Sequence, residues 1–295
     1  MTASPVDEEL AAAFARDGVA CVRGVLDPAE LASAARAIEI VLANPSPIAQ
    51  VASAAEDPGS FFEDFCRWRE IPEIEQLARH SRVPQAAAAL MSTPQVRFYH
   101  DHVLVKDGGT RQRTPWHQDQ PYYNVDGQGV SAWIPVDPVP ADGCLELVAS
   151  SHLGPWLMPR TFLAGEARWF PEGSLAELPD IDADPGAFDI RRFELRPGDA
   201  IFSTSLPCTA RPASRIWAGG GCCRCAICPL RPGMRRGPGG RHRLSTGSRK
   251  NCPPDRRWTI RCSPSSGPPH PDLATERRRS GCRADPAAGQ IRPPG

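Results

Sequence analysis

Apolar positions repeat with two different periods along this chain, and the change falls near residue 95. Before it, Leu31, Ala34, Ala35, Ile38, Val41 and Leu42 recur at helical spacing, which predicts a helix with one buried face. Asp27 is a good N-cap for it and Pro28 suits the first helical position. Asp7 to Ala15 reads as a shorter helix whose acidic first turn faces the positive end of the helix dipole. Val19–Val22 reads as a short strand. Phe61 to Trp68, Ile71 to His80 and Val83 to Met91 read as further short helices, so the first ~90 residues are expected to be mostly helical.

From Gln95 the pattern is that of strands. Val96 to Val105 is rich in β-branched and aromatic residues and ends in the turn signal Asp107-Gly108-Gly109. Val130–Val136 and Cys144–Val148 are two more strands, with Asp142-Gly143 as a turn between them. Phe193 to Phe202 reads as strand, Pro-Gly turn, strand, and Glu166 to Asp189 as a lid or connecting loop. Short strands separated by turns argue for an antiparallel sandwich or barrel. After Phe202 neither period persists.

Composition changes at the same place. The chain has 34 basic and 34 acidic residues, but residues 204–295 hold 18 of the basic and 4 of the acidic ones, so that stretch is +14 and the remainder −14. Cys21, Cys66 and Cys144 are scattered through the front, and the other 8 of 11 cysteines lie in the tail. The N-terminus has neither the basic nor the apolar region of a secretory signal. No apolar run approaches the roughly 20 residues a membrane span requires. A cytoplasmic protein with reduced thiols is expected.

Candidate chemistry centres on Thr114-Pro-Trp-His-Gln-Asp-Gln-Pro-Tyr-Tyr123. On a strand, His117 and Asp119 would project from one face into one cavity. With a distant second histidine they would make the two-histidine, one-carboxylate triad of non-haem Fe(II) oxygenases, which leaves positions for a chelating 2-oxoacid and for O2. A bare His-x-Asp also fits a surface loop pair. The flanking Pro115, Trp116 and Gln120 to Tyr123 supply an aromatic wall suited to a pocket.

Several blocks in order resemble the phytanoyl-CoA dioxygenase family: Phe14 to Leu26, Asp101 to Lys106, Thr114 to Tyr123, Val130 to Val139, Gly143 to Val148, Ser151-His152 and Arg196 to Phe202. The resemblance covers residues 10–202. It implies an α+β protein with a double-stranded β-helix (jelly-roll) core and N-terminal helices, using Fe(II), 2-oxoglutarate and O2 to hydroxylate a small organic substrate. Carried over by position, it makes His117 and Asp119 metal ligands and sets Trp133 at the 2-oxoglutarate site, where a core aromatic is the competing reading. His102 faces the same region and would touch the co-substrate or serve as a half-buried strand histidine. His152 reads as a turn residue, with reaching the metal as the lesser alternative, and Lys106 as a solvated charge at a strand end.

The family pattern then requires a strand carrying His-Gly-(small)-Pro-Gly and, further on, an arginine for the distal carboxylate of 2-oxoglutarate, a role for which a bidentate guanidinium is suited. The chain reads Ser203 to Ala213 there without a histidine, and none follows until His242. The genetic code offers a reason. When each codon's third base is joined to the next codon's first two, the triplet across Cys208 and Thr209 must encode His or Tyr. The codons after it permit Gly, then Ala, Pro and Gly, and those across Gly219 to Gly221 permit Arg.

The expectation is therefore a dioxygenase-like domain over 1–203, incomplete at its C-terminus and impaired as an enzyme, and a disordered, out-of-frame Arg/Pro/Gly/Cys-rich tail over 204–295. A non-catalytic ligand-binding protein on the same scaffold is the alternative. A zinc-binding basic tail, with Cys222, Cys225, Cys228, Cys252, Cys262 and His242 as ligands and nucleic acid as partner, is a third reading. The overlapping C-x-x-C pairs and the lack of aromatic interleaving argue against it.

Overall fold

The computed structural model describes residues 4–53, 56–108, 113–123, 129–161, 165–167, 169–205 and 207–210, with the backbone alone for 211, 220–229 and 259–261. Helix α1 (Glu8–Asp17) starts where Asp7 accepts the Leu10 N–H and ends at Gly18 in the left-handed region, φ 75°. Strand β1 (Val19–Val22) follows. Helix α2 (Pro28–Ala43) opens with a reciprocal capping box between Asp27 and Glu30, an arrangement worth ~1 kcal/mol. Ala34, Ala37, Ile38 and Val41 form its buried face; Ala34, Ile38 and Val41 are where the spacing predicts, while Leu42, expected on that face, is exposed.

Strands β2 (Gln50–Val51) and β3 (Phe61–Phe65) come next. The helix expected over 61–68 is thus a strand: β3 pairs with β4 (Gln95–Lys106) from Phe61↔Lys106 to Phe65↔His102. Phe61, Phe62 and Phe65 satisfy either period in so short a run, and the long-range partner decides. Helices α3 (Pro72–His80) and α4 (Val83–Leu90) lie between them.

Beyond β4 come β5 (Thr114–His117), β6 (Val130–Pro135), β7 (Glu146–Val148), β8 (Ile190–Arg191) and β9 (Ala200–Thr204). The backbone then continues both sheets past the domain end expected at 203, as β10 (Thr209–Arg211), β11 (Gly220–Pro229) and β12 (Thr259–Arg261). The large sheet runs β1-β9-β6-β11-β4-β3-β2, with β12 also on β4, and the small sheet runs β5-β10-β7-β8. All pairings are antiparallel. Two facing antiparallel sheets in this order make the jelly-roll core, with the helices on the outer face of the large sheet. The zinc reading's His242, Cys252 and Cys262 lie outside the described residues, as does most of the expected tail.

The large sheet's two faces are distinct. Val96, Phe98, Val103, Val130, Ala132, Ile134, Ala200 and Phe202 pack with the helices in one cluster, each large side chain contributing about 1.5–3 kcal/mol by burial. The inner face carries Trp133 and Ile201, which pack with Leu147 of the small sheet, and Leu104 joins this group. Strand β4 has an irregularity near Tyr99, where Ala226 pairs with His100 but Ile227 with Phe98. One extra residue reverses the alternation. Phe98 therefore faces the helices, while His100, His102, Leu104 and Lys106 share the inner side.

Candidate functional site

Strand β5 carries His117 at its last position, and its alternation turns Trp116 outward. Trp116 packs with Val148, Leu157, Ile181, Cys208 and Ala210 on the outer face of the small sheet. The Trp116 indole N–H donates to Asp182 Oδ1 at 3.0 Å, so the 166–189 segment covers that face. It does so mostly as irregular chain, with a 3-10 turn at Pro185–Ala187.

His117 points inward. Its Nδ1 donates to the Pro115 carbonyl at 2.8 Å, which fixes the tautomer with the lone pair on Nε2. Nε2 lies 3.5 Å from Asp119 Oδ1. The pair therefore converges as the spacing predicts, although by a different route. The strand ends at His117, and Asp119 sits in a helical turn, φ −72° and ψ −39°, ahead of the 3-10 turn Gln120–Tyr122. Asp119 is buried and reaches across to the large sheet, where Ser131 Oγ of β6 donates to its Oδ2 at 3.5 Å. Trp133 is two residues along from Ser131 on the same inner face, buried, and adjoins the pair by one strand repeat.

Of the aromatic wall predicted from the flanks, Trp116 faces the other way, while Tyr122 stands beside His117. The Tyr122 ring stands edge-on to His117 with centroids 6.0 Å apart and to Trp169 at 5.4 Å. Its hydroxyl donates to the Arg160 carbonyl at 2.7 Å and accepts the Arg160 N–H at 2.9 Å. Tyr123 contacts Tyr99 and His100.

Three further residues stand as follows. His102 is buried, with Nε2 3.0 Å from Glu63 Oε2 and its ring stacked on Phe65 at 4.0 Å. His152 is in the 3-10 turn Ser151–Leu153, and its Nε2 lies 3.3 Å from the Ala15 carbonyl at the end of α1. It packs so closely on Gly18 that a Cβ there would come within 2.4 Å of its Nδ1. It is a turn residue docked on the helix. Lys106 is not a solvated charge but 1% exposed. Its Nζ lies 4.4 Å over the Phe61 ring and donates to Thr114 Oγ1 of β5 at 3.4 Å. Nothing local to Lys106 signals this burial, because Phe61 and Thr114 close over the lysine only once β3 and β5 are in place.

The third ligand is the point of disagreement. Thr209 of β10 is directly opposite His117 and, on its other side, opposite Leu147. Directly opposed residues share a face about 4.5–5.5 Å apart. Cys208 and Ala210 belong to the outer cluster, so Thr209 faces inward beside His117. Among the described residues, no group of three His, Cys, Asp or Glu side chains is placed to hold a metal ion. Two donors and a threonine do not fit a three-ligand iron site.

The family model for phytanoyl-CoA dioxygenase matches residues 14–206. The chain belongs to the phytanoyl-CoA dioxygenase family. Family members are Fe(II)- and 2-oxoglutarate-dependent oxygenases. A search of curated proteins finds no match. Among solved structures, the chain is similar to the α-ketoglutarate-dependent carbocyclase SnoK from nogalamycin biosynthesis, at 20% identity over 88% of this chain and 99% of that one, TM-score 0.66. It is also similar to the epimerase SnoN in complex with Fe3+, α-ketoglutarate and nogalamycin RO, at 21% identity over 76% and 86%, TM-score 0.60. EctD from S. alaskensis with bound Fe is a third, at 17% identity over 78% and 79%, TM-score 0.59. These likenesses show the shared fold. No helix among the described residues is long and apolar enough to cross a membrane.

Proposed function

We propose that this member of the phytanoyl-CoA dioxygenase family is built to hydroxylate a C–H of a small organic molecule and that its catalysis is impaired in the chain as it stands. The observation that carries the reading is the His117–Asp119 pair, oriented for a metal, with Thr209 rather than a donor opposite it. His117 and Asp119 would hold iron from one side only. The group supplies O2 activation when bound, and here the chain contributes two of the three ligands that this chemistry uses.

Other residues contribute binding. Lys106 puts a buried cation on the inner face beside Thr114, suited to a carboxylate of 2-oxoglutarate. Tyr122 adds aromatic surface beside His117, and Trp133 packs with Leu147 and Ile201 between the sheets. SnoN's complex with nogalamycin RO and SnoK's place in nogalamycin biosynthesis support a small organic molecule as the substrate class.

The test is 2-oxoglutarate turnover to succinate with Fe(II) and O2, comparing the chain with His117→Ala. The expected result is succinate formation no higher than in the variant. Succinate formation that His117→Ala abolishes would show the two-donor site to be competent and end the impairment reading. The missing donor also favours a second reading, a ligand-binding protein on the same scaffold. Its mark is affinity for a small molecule that survives both iron removal and His117→Ala.

A further inference from the structure

In both sheets, the strands after residue 204 fill places that the architecture reserves. Strand β11 stands between β4 and β6 and pairs with each over most of its length. Strand β10 stands between β5 and β7. The register assigns every position on them a definite neighbour, so what each position requires can be compared with what the gene encodes.

Where the third metal ligand is required, opposite His117, the chain has Thr209. Cysteine codons end in a pyrimidine and threonine codons begin with AC, so the triplet across Cys208 and Thr209 is UAC or CAC, tyrosine or histidine. With that triplet assigned to position 209, the same one-base offset fixes the rest. Position 220 is opposite Lys106, and its displaced triplet, ending in GG, encodes Arg, Gly or Trp. Position 223 is opposite Val103 and Ile134, and position 225 is opposite Ala132, all three in the helix-side core. The triplet for 223 must encode Leu, and that for 225 Leu, Met or Val. The triplet for position 224, between them, encodes Ser, Pro or Gln, or carries a stop. At 223 and 225 the displaced frame thus supplies apolar residues beside Val103, Ile134 and Ala132; position 225 also stands opposite Asp101, and position 227, opposite Phe98 and Val130, reads Tyr, His, Asn or Asp.

Third-base freedom makes any one of these matches inexpensive. Their weight comes from one offset serving a ligand position, a cation position and two core positions, in strands whose register was set without reference to codons.

We propose that the coding sequence for residues 209–225 carries this protein's own core strands in the frame displaced by one base, so that Thr209 marks the place of a third metal-ligating histidine and Gly220 that of an arginine beside Lys106. The proposal rests on the reading of His117 and Asp119 as a metal pair. It deepens that reading by naming the missing donor's position.

The test has a genetic part and a binding part. Resequencing codons 200 to 225 should find a base missing or extra. The full chain, the full-length chain expressed in the displaced frame, and the displaced-frame chain with the histidine read across codons 208 and 209 replaced by alanine are then titrated with Co(II). Visible absorption and bound-metal stoichiometry are the readouts. The displaced-frame chain should bind one Co(II) roughly 100-fold more tightly than the given chain, and the alanine replacement should return it to the given chain's level. Thr209→His in the given chain should recover part of the gain, and a melting curve first establishes that it folds. If that variant does not fold, the displaced-frame pair still decides. A displaced-frame chain that binds Co(II) no better than the given one, or whose affinity is unchanged by the alanine replacement, overturns the proposal. Tight Co(II) binding without succinate formation would leave the ligand's position standing and instead end the oxygenase reading.

Discussion

Lys106 is a buried cation at the end of β4, on the inner side of the large sheet. It closes an apolar run and precedes Asp107-Gly108-Gly109, a context that reads as a solvated strand end. The strand's neighbours bury it instead, since Phe61 stands opposite and Thr114 accepts from its ammonium. Burial of a cation costs several kcal/mol before any return from its contacts. Lys106→Met keeps the length and removes the charge. The variant is expected to weaken 2-oxoglutarate binding about tenfold or more by calorimetric titration, the loss of one charge-assisted contact. The melting temperature of the unliganded variant should hold or rise. Unchanged affinity would remove Lys106 from the site. The His117–Asp119 pair was legible from sequence because its geometry is local. Thr209's place was not, because it depends on pairing between strands ninety-odd residues apart.

Between elements, polar ties hold the pieces at the angles the site needs, and such ties leave little trace in hydrophobic periodicity. Asp199 shows this after the Pro197-Gly198 turn. Burial raises its pKa, but the N–H groups of Arg196 and Gly24 and the Arg23 guanidinium outweigh that and hold it below the usual range. The turn itself was readable, and Gly198 takes φ 96° there. The partner 175 residues away was not. Asp101 ties the segment after β3 to β4, its carboxylate accepting the N–H groups of Arg67 and Trp68 at 3.0 Å each. Full burial pushes its pKa from 3.8 up to about 6, against the lowering effect of those two N–H groups. The folded state therefore holds this proton more tightly than the unfolded one. The group's stabilising contribution is full below about pH 4 and is lost as pH rises through 6, a change of ~3 kcal/mol. Asp101→Asn removes that slope and leaves one N–H without its acceptor, a constant cost of ~1–3 kcal/mol. In denaturant titrations between pH 4 and pH 7, the given chain's advantage over the variant is expected to shrink across that window. Parallel curves would show that Asp101 titrates normally. The helix predicted over 61–68 failed for a related reason. Its short apolar run suits both periods, and only pairing with β4 makes it a strand.

For the whole molecule, the decisive fact is that the large sheet's order passes through β11. Strand β6 pairs with β9 and β11, while β4 pairs with β3, β11 and β12. Without β11 the sheet falls into β1-β9-β6 on one side and the strands around β4 on the other. The helix-side core draws on both halves, with Val96, Phe98 and Val103 from one and Val130, Ala132 and Ile134 from the other, so cooperative folding depends on that strand. Ladder hydrogen bonds come from the backbone, and a strand of the wrong side chains can still make them. This is a physical reason for residues 220–229 to enter the sheet although their sequence lacks a strand pattern. Cys225→Pro separates the alternatives, since proline removes a donor and is excluded from central strands. With β11 between β4 and β6 in solution, the variant should lose ~3 kcal/mol or more, with a lower melting midpoint and earlier aggregation from the exposed edges of β4 and β6. An unchanged melting curve would mean that the given sequence leaves this place in the sheet unfilled. In that case the open edges of β4 and β6 should already make the given chain aggregate at concentrations where the displaced-frame chain stays monomeric, a difference that light scattering on the two chains measures directly.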